Sequence, residues 1–189
     1  DFTCEIDRNS LMLFLRYNYV PAPYSIYKGI SKLSSGSFIQ LSINSKELTS
    51  VIPYWSLSEV VFNGQSSPLN CNDEVAVSLL ENCLGSAVEE QLISDVPLGA
   101  FLSGGIDSSL IVSMMKIRSS QPVKTFTIGF DDSDYNEAIY AKAVAKHLGT
   151  EHSELYISSQ DALDVIPQLP STYDEPFADS SQIPTFLVA

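Results

Sequence analysis

From residue 72 onward, short apolar runs alternate with longer segments in which apolar residues recur every three or four positions. The first of these longer segments predicts a helix capped by Asn72 or Asp73. One stripe of that helix carries Leu80, Leu84, Val88 and Leu92. The pattern then predicts strands at Leu98–Leu102, Val123–Phe130 and Glu154–Ile157, and helices at Ser108–Ile117, Asn136–Leu148 (ended by Gly149) and Gln160–Ile166. Such alternation predicts an α/β fold, a parallel sheet with helices on both faces.

The first 70 residues follow a different pattern. Asp7 is placed to cap a short helix over Arg8–Tyr17, and Pro21 and Pro23 prevent its continuation. Alternating apolar residues predict a strand over Ser37–Ile43, a turn over residues 44–47 and a return strand over Leu48–Trp55. One helix and one hairpin enclose little core, so we interpret this region as a partial α+β segment.

A polar stretch over residues 63–68 separates the two patterns, and we interpret it as a linker because it contains Gly64 and Pro68 and offers little to bury. The charge also changes near this point. Residues 1–74 carry seven acidic and five basic residues, whereas residues 75–189 carry 16 acidic and five basic residues. The sequence therefore predicts two domains, residues 1–70 and residues 71–189.

Composition excludes several functional classes. The net charge of −13 and the pI near 4.3 disfavour binding to a nucleic acid backbone. No run approaches the roughly 18 apolar residues of a membrane span, and no signal-peptide pattern precedes the first helix. Three cysteines without a CxxC pair disfavour a metal-thiolate site or a disulfide scaffold, so we expect a reducing, cytoplasmic location. Because the chain opens on Asp1 and stops within an apolar run, we expect it to be part of a longer protein.

The strongest chemical signal is the Ser- and Gly-rich run Ser103–Ser109, between a predicted strand and a predicted helix. At that position helix amides point outward and favour an anion. Gly104 and Gly105 allow backbone amides to approach a phosphate, while Ser103 and Ser108 add hydroxyl donors. The run matches neither GxGxxG nor GxxxxGK[ST], which disfavours a Rossmann dinucleotide site and a Walker-type kinase.

Asp107 within this run has two possible roles. A carboxylate repels a bare phosphate, so it could instead coordinate a phosphate-bound Mg²⁺. The alternative is a plain Ser/Gly turn in which Asp107 caps the following helix. The complete SGGxDS string between strand and helix favours the phosphate site.

This string resembles the pyrophosphate loop of ATP pyrophosphatases, and more narrowly the synthetase domain of the glutamine-hydrolysing asparagine synthetase family. The matching segments, in the family's order, are Leu15–Pro23, Ile26–Ile30, Asp95–Ser109, Thr125–Phe130, His147–Thr150 and Tyr173–Ser181. The resemblance implies an adenine nucleotide alpha hydrolase-like fold for residues 71–189. It also implies that residues 1–70 are the end of a glutaminase domain.

The resemblance further implies that ATP adenylates an aspartate side chain or another carboxylate, and that glutamine-derived ammonia then displaces AMP. Ser103, Gly104, Gly105, Asp107 and Ser108 would hold the pyrophosphate portion. Of these, Ser103, Asp107 and Ser108 are the candidate catalytic residues, and Asp107 would also ligate Mg²⁺. The residues expected to contact adenosine, each with strand core as an equal alternative, are Leu102 and Ile128.

Some family features are missing from these residues. The family's glutaminase begins with a nucleophilic Cys, whereas residue 1 is Asp, and Cys4 has no paired base. A second Gly-rich phosphate loop, SGxGxDE, is absent, so we expect the fragment alone to be inactive. Alternatives are another adenylating amidotransferase, a β-lactam-synthetase-like cyclase, or a noncatalytic nucleotide-binding module. The full-length form is compatible with a homodimer.

Other polar residues carry weaker signals. Acidic groups lie at Asp131, Asp132 and Asp134, and again at Asp174, Glu175 and Asp179. We interpret the first group as a solvated turn and the second as loop or cap residues. His147 and His152 lack metal-ligand spacing and are expected at the surface, while Tyr54 and Trp55 are expected to close a hydrophobic strand.

Overall fold

A computed structural model describes residues 4–44, 50–130 and 136–189. The chain forms two compact units, which are described separately. The first comprises Asp1–Asn70 with Gln168–Ser180, and the second comprises Cys71–Pro167 with Ser181–Ala189.

The described residues contain eight α-helices and five strands. In chain order these are α1 (Arg8–Tyr17), β1 (Ser37–Phe38), β2 (Ile52–Pro53), α2 (Leu57–Ser66), α3 (Asp73–Gln91), β3 (Gly99–Phe101), α4 (Ile106–Arg118), β4 (Lys124–Phe130), α5 (Ala138–Leu148), β5 (Glu151–Ile157), α6 (Ser159–Val165), α7 (Leu169–Thr172) and α8 (Gln182–Val188). A 3-10 turn at Ile166–Gln168 separates α6 from α7. Within the described ranges, no helix combines the length and apolar character needed to cross a membrane.

In the first unit, α1 has the predicted bounds. The Asp7 carboxylate accepts a hydrogen bond from the Asn9 amide at 2.8 Å, and Asn18 ends the helix in the left-handed region with φ 65°. Among the described residues, Ser37–Phe38 and Ile52–Pro53 pair in antiparallel orientation, within the two predicted strands of the hairpin. Pro53 has no amide hydrogen to extend the ladder. Residues 45–49, which include part of the predicted turn and return strand, lie outside the described residues.

The predicted linker over residues 63–68 is wrong in its first four residues, which form the end of α2. Ser56 caps this helix by accepting a hydrogen bond from the Glu59 amide at 3.4 Å. Gly64 has open space around its Cα, so the helix passes through it without a clash. A capped start and the apolar run before residue 63 therefore outweigh one glycine, whose cost in a helix is about 1 kcal/mol.

The second unit contains the predicted parallel sheet. β4 lies between β3 and β5 and pairs with both in parallel, with Phe101 opposite Phe126 and Phe126 opposite Ser153. This arrangement confirms an α/β fold with a parallel sheet. β5 begins at Glu151, three residues earlier than predicted, because its register with β4 continues to Lys124.

Helices contact both faces of this sheet. Alternate residues of a strand point to opposite faces. Leu102, which follows β3, packs with Val112 of α4 and Ala141 of α5 in the hydrophobic core. On the opposite face of β4, Phe126 and Ile128 line a cavity together with residues of α8. The core cluster comprises Val88, Leu102, Val112, Met114, Met115, Val123, Ala141 and Ala145.

Two further predictions differ in detail. Asn72, one of the two predicted cap residues, caps α3. Only the C-terminal part of the predicted apolar stripe of α3 packs into the core. Val88 is 8% exposed, whereas Leu80 is 58% exposed. His152 is half-buried within β5 rather than at the surface, with Nδ1 2.9 Å from the hydroxyl oxygen of the buried Thr125. His147 is exposed, as predicted.

Gly149 ends α5 in the left-handed region with φ 66°, and an added Cβ would meet nothing within 4 Å. We therefore expect Gly149→Ala to destabilise the protein by about 1 kcal/mol through backbone strain alone. Gly149→Asn is the matched control and should cost less, because Asn tolerates this conformation. Urea unfolding measures both, and equal stability of the Ala variant and the wild type would contradict the expectation.

Candidate functional site

The Ser- and Gly-rich run lies where β3 ends and α4 begins. β3 ends at Phe101 and α4 begins at Ile106, so the loop contains only four residues, Leu102–Gly105. We call residues 103–105 together with the first turn of α4 the loop site. It lies at the carboxyl edge of the parallel sheet, where ligands of such folds commonly bind.

Two serine hydroxyls brace the loop site. Ser103 Oγ and Ser108 Oγ are 2.9 Å apart and share a hydrogen bond. Ser108 Oγ also lies 3.3 Å from the Ser103 amide, and the Gly105 amide donates to Ser103 Oγ at 3.2 Å. The two hydroxyls that were predicted from the sequence to donate to a ligand thus contact one another and hold the loop against the first turn of α4.

Gly104 is required by both its conformation and its surroundings. Its φ of 79° is left-handed, and an ideal Cβ would lie 2.6 Å from Tyr140 Cβ and 2.7 Å from the Ala141 amide nitrogen of α5. Gly105 has an ordinary φ of −70°, and its nearest neighbour to an added Cβ is Ser103 Oγ at 3.2 Å. Only the first glycine is therefore sterically necessary.

The first turn of α4 has no side-chain cap. Gly105 occupies the N-cap position, and Asp107 is the second helical residue and caps nothing. The first intrahelical hydrogen bond runs from the Ser109 amide to the Gly105 carbonyl at 3.1 Å. The amides of Ile106, Asp107 and Ser108 therefore precede the helical hydrogen bonds, which makes this turn suited to an anion.

Asp107 offers an exposed carboxylate beside these amides. In the part of the chain that the structure describes, this carboxylate has no hydrogen bond or ion pair, and no group of three His, Cys, Asp or Glu residues could hold a metal by itself. Mg²⁺ in nucleotide sites is typically held by one or two carboxylates together with phosphate oxygens and water. The donor set fits a phosphate-bound Mg²⁺ and does not fit a cage made only of protein ligands.

A cavity of about 730 Å³ adjoins the loop site in the second unit. Three of the residues selected from the sequence line it, namely Leu102, Ser103 and Ile128. Leu102 exposes only 1% of its surface and belongs to the core cluster. The Leu102 side chain thus serves mainly to pack the core. The contacts of Leu102 and Ile128 with adenosine stay predictions.

Several residues of the cavity wall were not among those predicted from the sequence. Glu137 is the N-cap residue of α5 and lines the cavity, and Phe126 and Phe130 flank Ile128 on one face of β4. Pro184, Thr185 and Val188 of α8 complete much of the remaining wall. The position of Glu137 beyond the carboxyl end of a strand was the only available signal.

Behind the loop site, α5 is tied to β5 by charged and hydroxyl groups. Lys142 Nζ donates to Glu154 Oε1 at 2.8 Å, and the Tyr156 hydroxyl donates to Glu154 Oε2 at 2.9 Å. The hydrogen bond from Lys142, followed by that from Tyr156, lowers the pKa of Glu154. The same contact with Glu154 raises the pKa of Lys142. Because Gly104 packs against Tyr140 and Ala141, this interaction supports the helix that backs the loop site.

The weaker acidic candidates do not form a second site among the described residues. In the first unit, Glu175 accepts a hydrogen bond from the Ile26 amide at 3.2 Å and pairs with Lys32, which confirms a structural role. Asp131, Asp132 and Asp134 lie outside the described residues. Cys4 is exposed and forms no disulfide.

Comparisons with known proteins agree with the resemblance. Residues 79–189 match the family model described as asparagine synthase. A Bacillus subtilis protein named asparagine synthetase (glutamine-hydrolysing) 1 is 31% identical over 98% of this chain and 28% of its own length. A Methanocaldococcus jannaschii protein, provisionally named asparagine synthetase (glutamine-hydrolysing) 2, is 32% identical over 97% of this chain and 34% of its own length. The chain thus spans about a third or less of these curated relatives.

A similar solved structure is the NH3-dependent NAD synthetase from Campylobacter jejuni in complex with the nitrate ion. It is 16% identical, with a TM-score of 0.40, over 58% of this chain and 46% of that chain. A likeness at this level supports no conclusion about the site.

Gly104→Ala should disrupt the loop site. The new methyl group would lie 2.6–2.7 Å from atoms of Tyr140 and Ala141, and residue 104 would have to keep a left-handed φ that alanine disfavours. We expect a loss of stability of about 2–4 kcal/mol, from overpacking and backbone strain together. Gly105→Ala is the matched control and should cost less than about 1 kcal/mol. Thermal unfolding of both variants tests this, and a Gly104→Ala variant as stable as Gly105→Ala would show that the contact is not rigid.

Glu154→Gln should destabilise the protein in a pH-dependent way. The pKa of Glu154 is lowered in the folded state, so its stabilising contribution is present above the unfolded pKa and is lost as the pH falls through the folded pKa. The wild type should therefore unfold at a higher temperature than Glu154→Gln at pH 7, and the difference should vanish at acidic pH. The same difference at pH 7 and at pH values well below 4 would contradict the role of the ionised carboxylate.

Proposed function

We propose, because this chain belongs to the asparagine synthase family, that its loop site binds the pyrophosphate portion of ATP during amide formation. Residues 1–70 would be the end of a glutaminase domain and residues 71–189 the start of an ATP-pyrophosphatase synthetase domain. The proposal concerns the full natural chain, because these 189 residues span about a third or less of the curated relatives.

The uncapped first turn of α4 beside the apolar cavity is the single observation that carries this proposal. ATP has a polyanionic end and an aromatic end, and the two parts of the site match those ends in chemistry. The loop site offers amides and hydroxyls, and the cavity offers Phe126, Ile128 and Phe130. A noncatalytic nucleotide-binding module would share these features and is separated from an enzyme only by the assay below.

Backbone groups would bind most of the phosphate charge. Only five basic residues follow residue 74, so an arginine cluster is not the basis of binding. The amides of Gly104 and of the first turn of α4 would donate to phosphate oxygens. The Gly105 amide already donates to Ser103 Oγ, and whichever of the Ser103 and Ser108 hydroxyls does not donate to the other would add one donor. These groups are fixed by the loop before ATP arrives, which lowers the reorganisation needed as charge moves onto pyrophosphate.

Asp107 would be the protein ligand of a Mg²⁺ bound to the phosphates. Mg²⁺ neutralises negative charge that develops on the pyrophosphate oxygens. The contribution of the chain is the exposed Asp107 carboxylate, held on the second residue of a rigid helix next to the phosphate donors. Such a carboxylate is favoured at this end of the helix by the helix dipole.

The proposed chemistry has two displacement steps. A carboxylate oxygen of the acceptor attacks the α-phosphorus of ATP, and the bond from that phosphorus to the bridging oxygen breaks, releasing pyrophosphate. Ammonia derived from glutamine then attacks the acyl carbon, loses a proton and displaces AMP. We propose the aspartate side chain as the acceptor, because the curated relatives named above are called asparagine synthetases.

Exchange of labelled pyrophosphate into ATP, measured with the full natural chain, tests the adenylation step. Exchange should require aspartate, and Ser103→Ala or Asp107→Asn should reduce it by about 100-fold or more, as expected for removal of a group that stabilises the transition state. Ser113→Ala is the matched control, because Ser113 lies two turns into α4 and, among the described residues, its hydroxyl bonds only the Leu110 carbonyl, at 2.7 Å.

The outcomes separate the alternatives. Exchange that depends on a different carboxylate would replace aspartate as the acceptor and retain the adenylation step. ATP binding without exchange for any carboxylate would favour the noncatalytic module. Equal exchange by Ser103→Ala and Ser113→Ala would remove Ser103 from the proposed site.

A further inference from the structure

The cavity beside the loop site has one ionisable side chain among its described lining residues. This residue is Glu137, and the other lining residues are apolar or carry hydroxyl groups. A carboxylate on the wall of a cavity proposed to hold part of a polyanion repels phosphate. Its position therefore restricts which part of a nucleotide can lie against it.

Glu137 lies one helical turn before the two residues of α5 that pack against the loop site. Its carbonyl accepts hydrogen bonds from the amides of Tyr140 at 3.0 Å and Ala141 at 3.1 Å. The same two residues contact Gly104, whose Cβ position would be within 2.7 Å of each. The start of α5 is thus fixed to the loop site through backbone contacts and not through flexible side chains.

The apolar wall contributed by β4 also borders this cavity. Phe126, Ile128 and Phe130 alternate along β4 and so share one face of the sheet. These side chains suit an aromatic base, whereas the amides of α4 suit phosphates. The site thus offers phosphate donors, one carboxylate and an apolar wall, which match the phosphates, the ribose and the base of a nucleotide.

The chemistry of the carboxylate supports the same assignment. An ionised carboxylate only accepts hydrogen bonds, and the ribose 2′- and 3′-hydroxyls are donors. Within the described part of the chain, the Glu137 carboxylate has no hydrogen bond or ion pair of its own. It is exposed and available for a ligand.

We propose that Glu137 accepts hydrogen bonds from the ribose hydroxyls of the bound nucleotide and thereby selects ATP over its deoxy analogues. This inference rests on the proposed function of the loop site. A hydrogen bond to a charged group corresponds to a change in affinity of about 10- to 100-fold. Glu137 is accordingly a specificity-determining residue of the nucleoside half of the site.

Isothermal titration of the full natural chain with ATP, 2′-deoxy-ATP and 3′-deoxy-ATP tests this inference without catalysis. The wild type should bind ATP about 10-fold or more tightly than at least one deoxy analogue. Glu137→Ala should lose affinity for ATP by a similar factor and bind ATP and that analogue equally. Glu137→Gln retains an acceptor oxygen, so it should preserve part of the preference.

Glu90→Ala is the matched charge control. Glu90 is exposed on α3 and, like Glu137, has no partner in the described part of the chain. Removing its charge changes the net charge of the protein by the same amount but should leave the preference for ribose unchanged. A Glu137→Ala variant that binds every nucleotide more tightly would show that Glu137 only repels the ligand, and would overturn the inference.

Two further outcomes separate this inference from the proposed function. Absence of ATP binding by the wild type would overturn the proposed function itself. ATP binding with a ribose preference that Glu137→Ala retains would overturn only the role of Glu137. Purine riboside triphosphate, which lacks the 6-amino group, tests the alternative that Glu137 contacts the base. If the wild type binds this analogue more weakly than ATP, and Glu137→Ala binds the two equally but keeps the ribose preference, then Glu137 contacts the base and the ribose assignment is wrong.

Discussion

The close contact between Gly104 and the backbone of α5 is the constraint on which the loop site depends. Because no Cβ fits there, the loop after β3 can lie directly on Tyr140 and Ala141. The contact fixes the distance between the first turn of α4 and the first turn of α5. The pairing of Lys142 with Glu154 then ties α5 to the neighbouring strand β5. One position without a side chain therefore sets the relative position of the two helix starts, and Ser103, just before α4, and Glu137, just before α5, line the same cavity.

The acidic composition and the proposed anion site are compatible because the positive end of the site is made of backbone. Side-chain cations would have to offset the net charge of −13, and few follow residue 74. Amides at a helix start act over a short range and do not depend on the charge of distant residues. A phosphate group could thus be bound locally by a domain whose overall field repels it, and the neighbouring Asp107 carboxylate would be a ligand for the proposed cation.

The elements with local signals were predictable, and those that depend on three-dimensional contacts were not. α1, α3 and the end of α5 follow from Asp7, Asn72 and Gly149, whose capping roles act within a few residues. The linker prediction failed because Ser56 and the apolar run after it start a helix that continues past Gly64. The loop site was recognisable as a candidate from its string of residues. Glu137 was not, because its place on the cavity wall arises only when β4, α5 and α8 come together.

The missing cap of α4 has a thermodynamic consequence for the protein without ligand. A Ser, Asn or Asp at position 105 would stabilise the ligand-free helix by a few tenths of a kcal/mol relative to Gly105. Its side chain would also accept the hydrogen bonds that the first-turn amides can offer to an anion. With Gly105 at that position, the cap of the helix would come from whatever anion binds there. Local order at the start of α4 would then vary with ligand concentration, which would couple the folding of this segment to the supply of the proposed nucleotide.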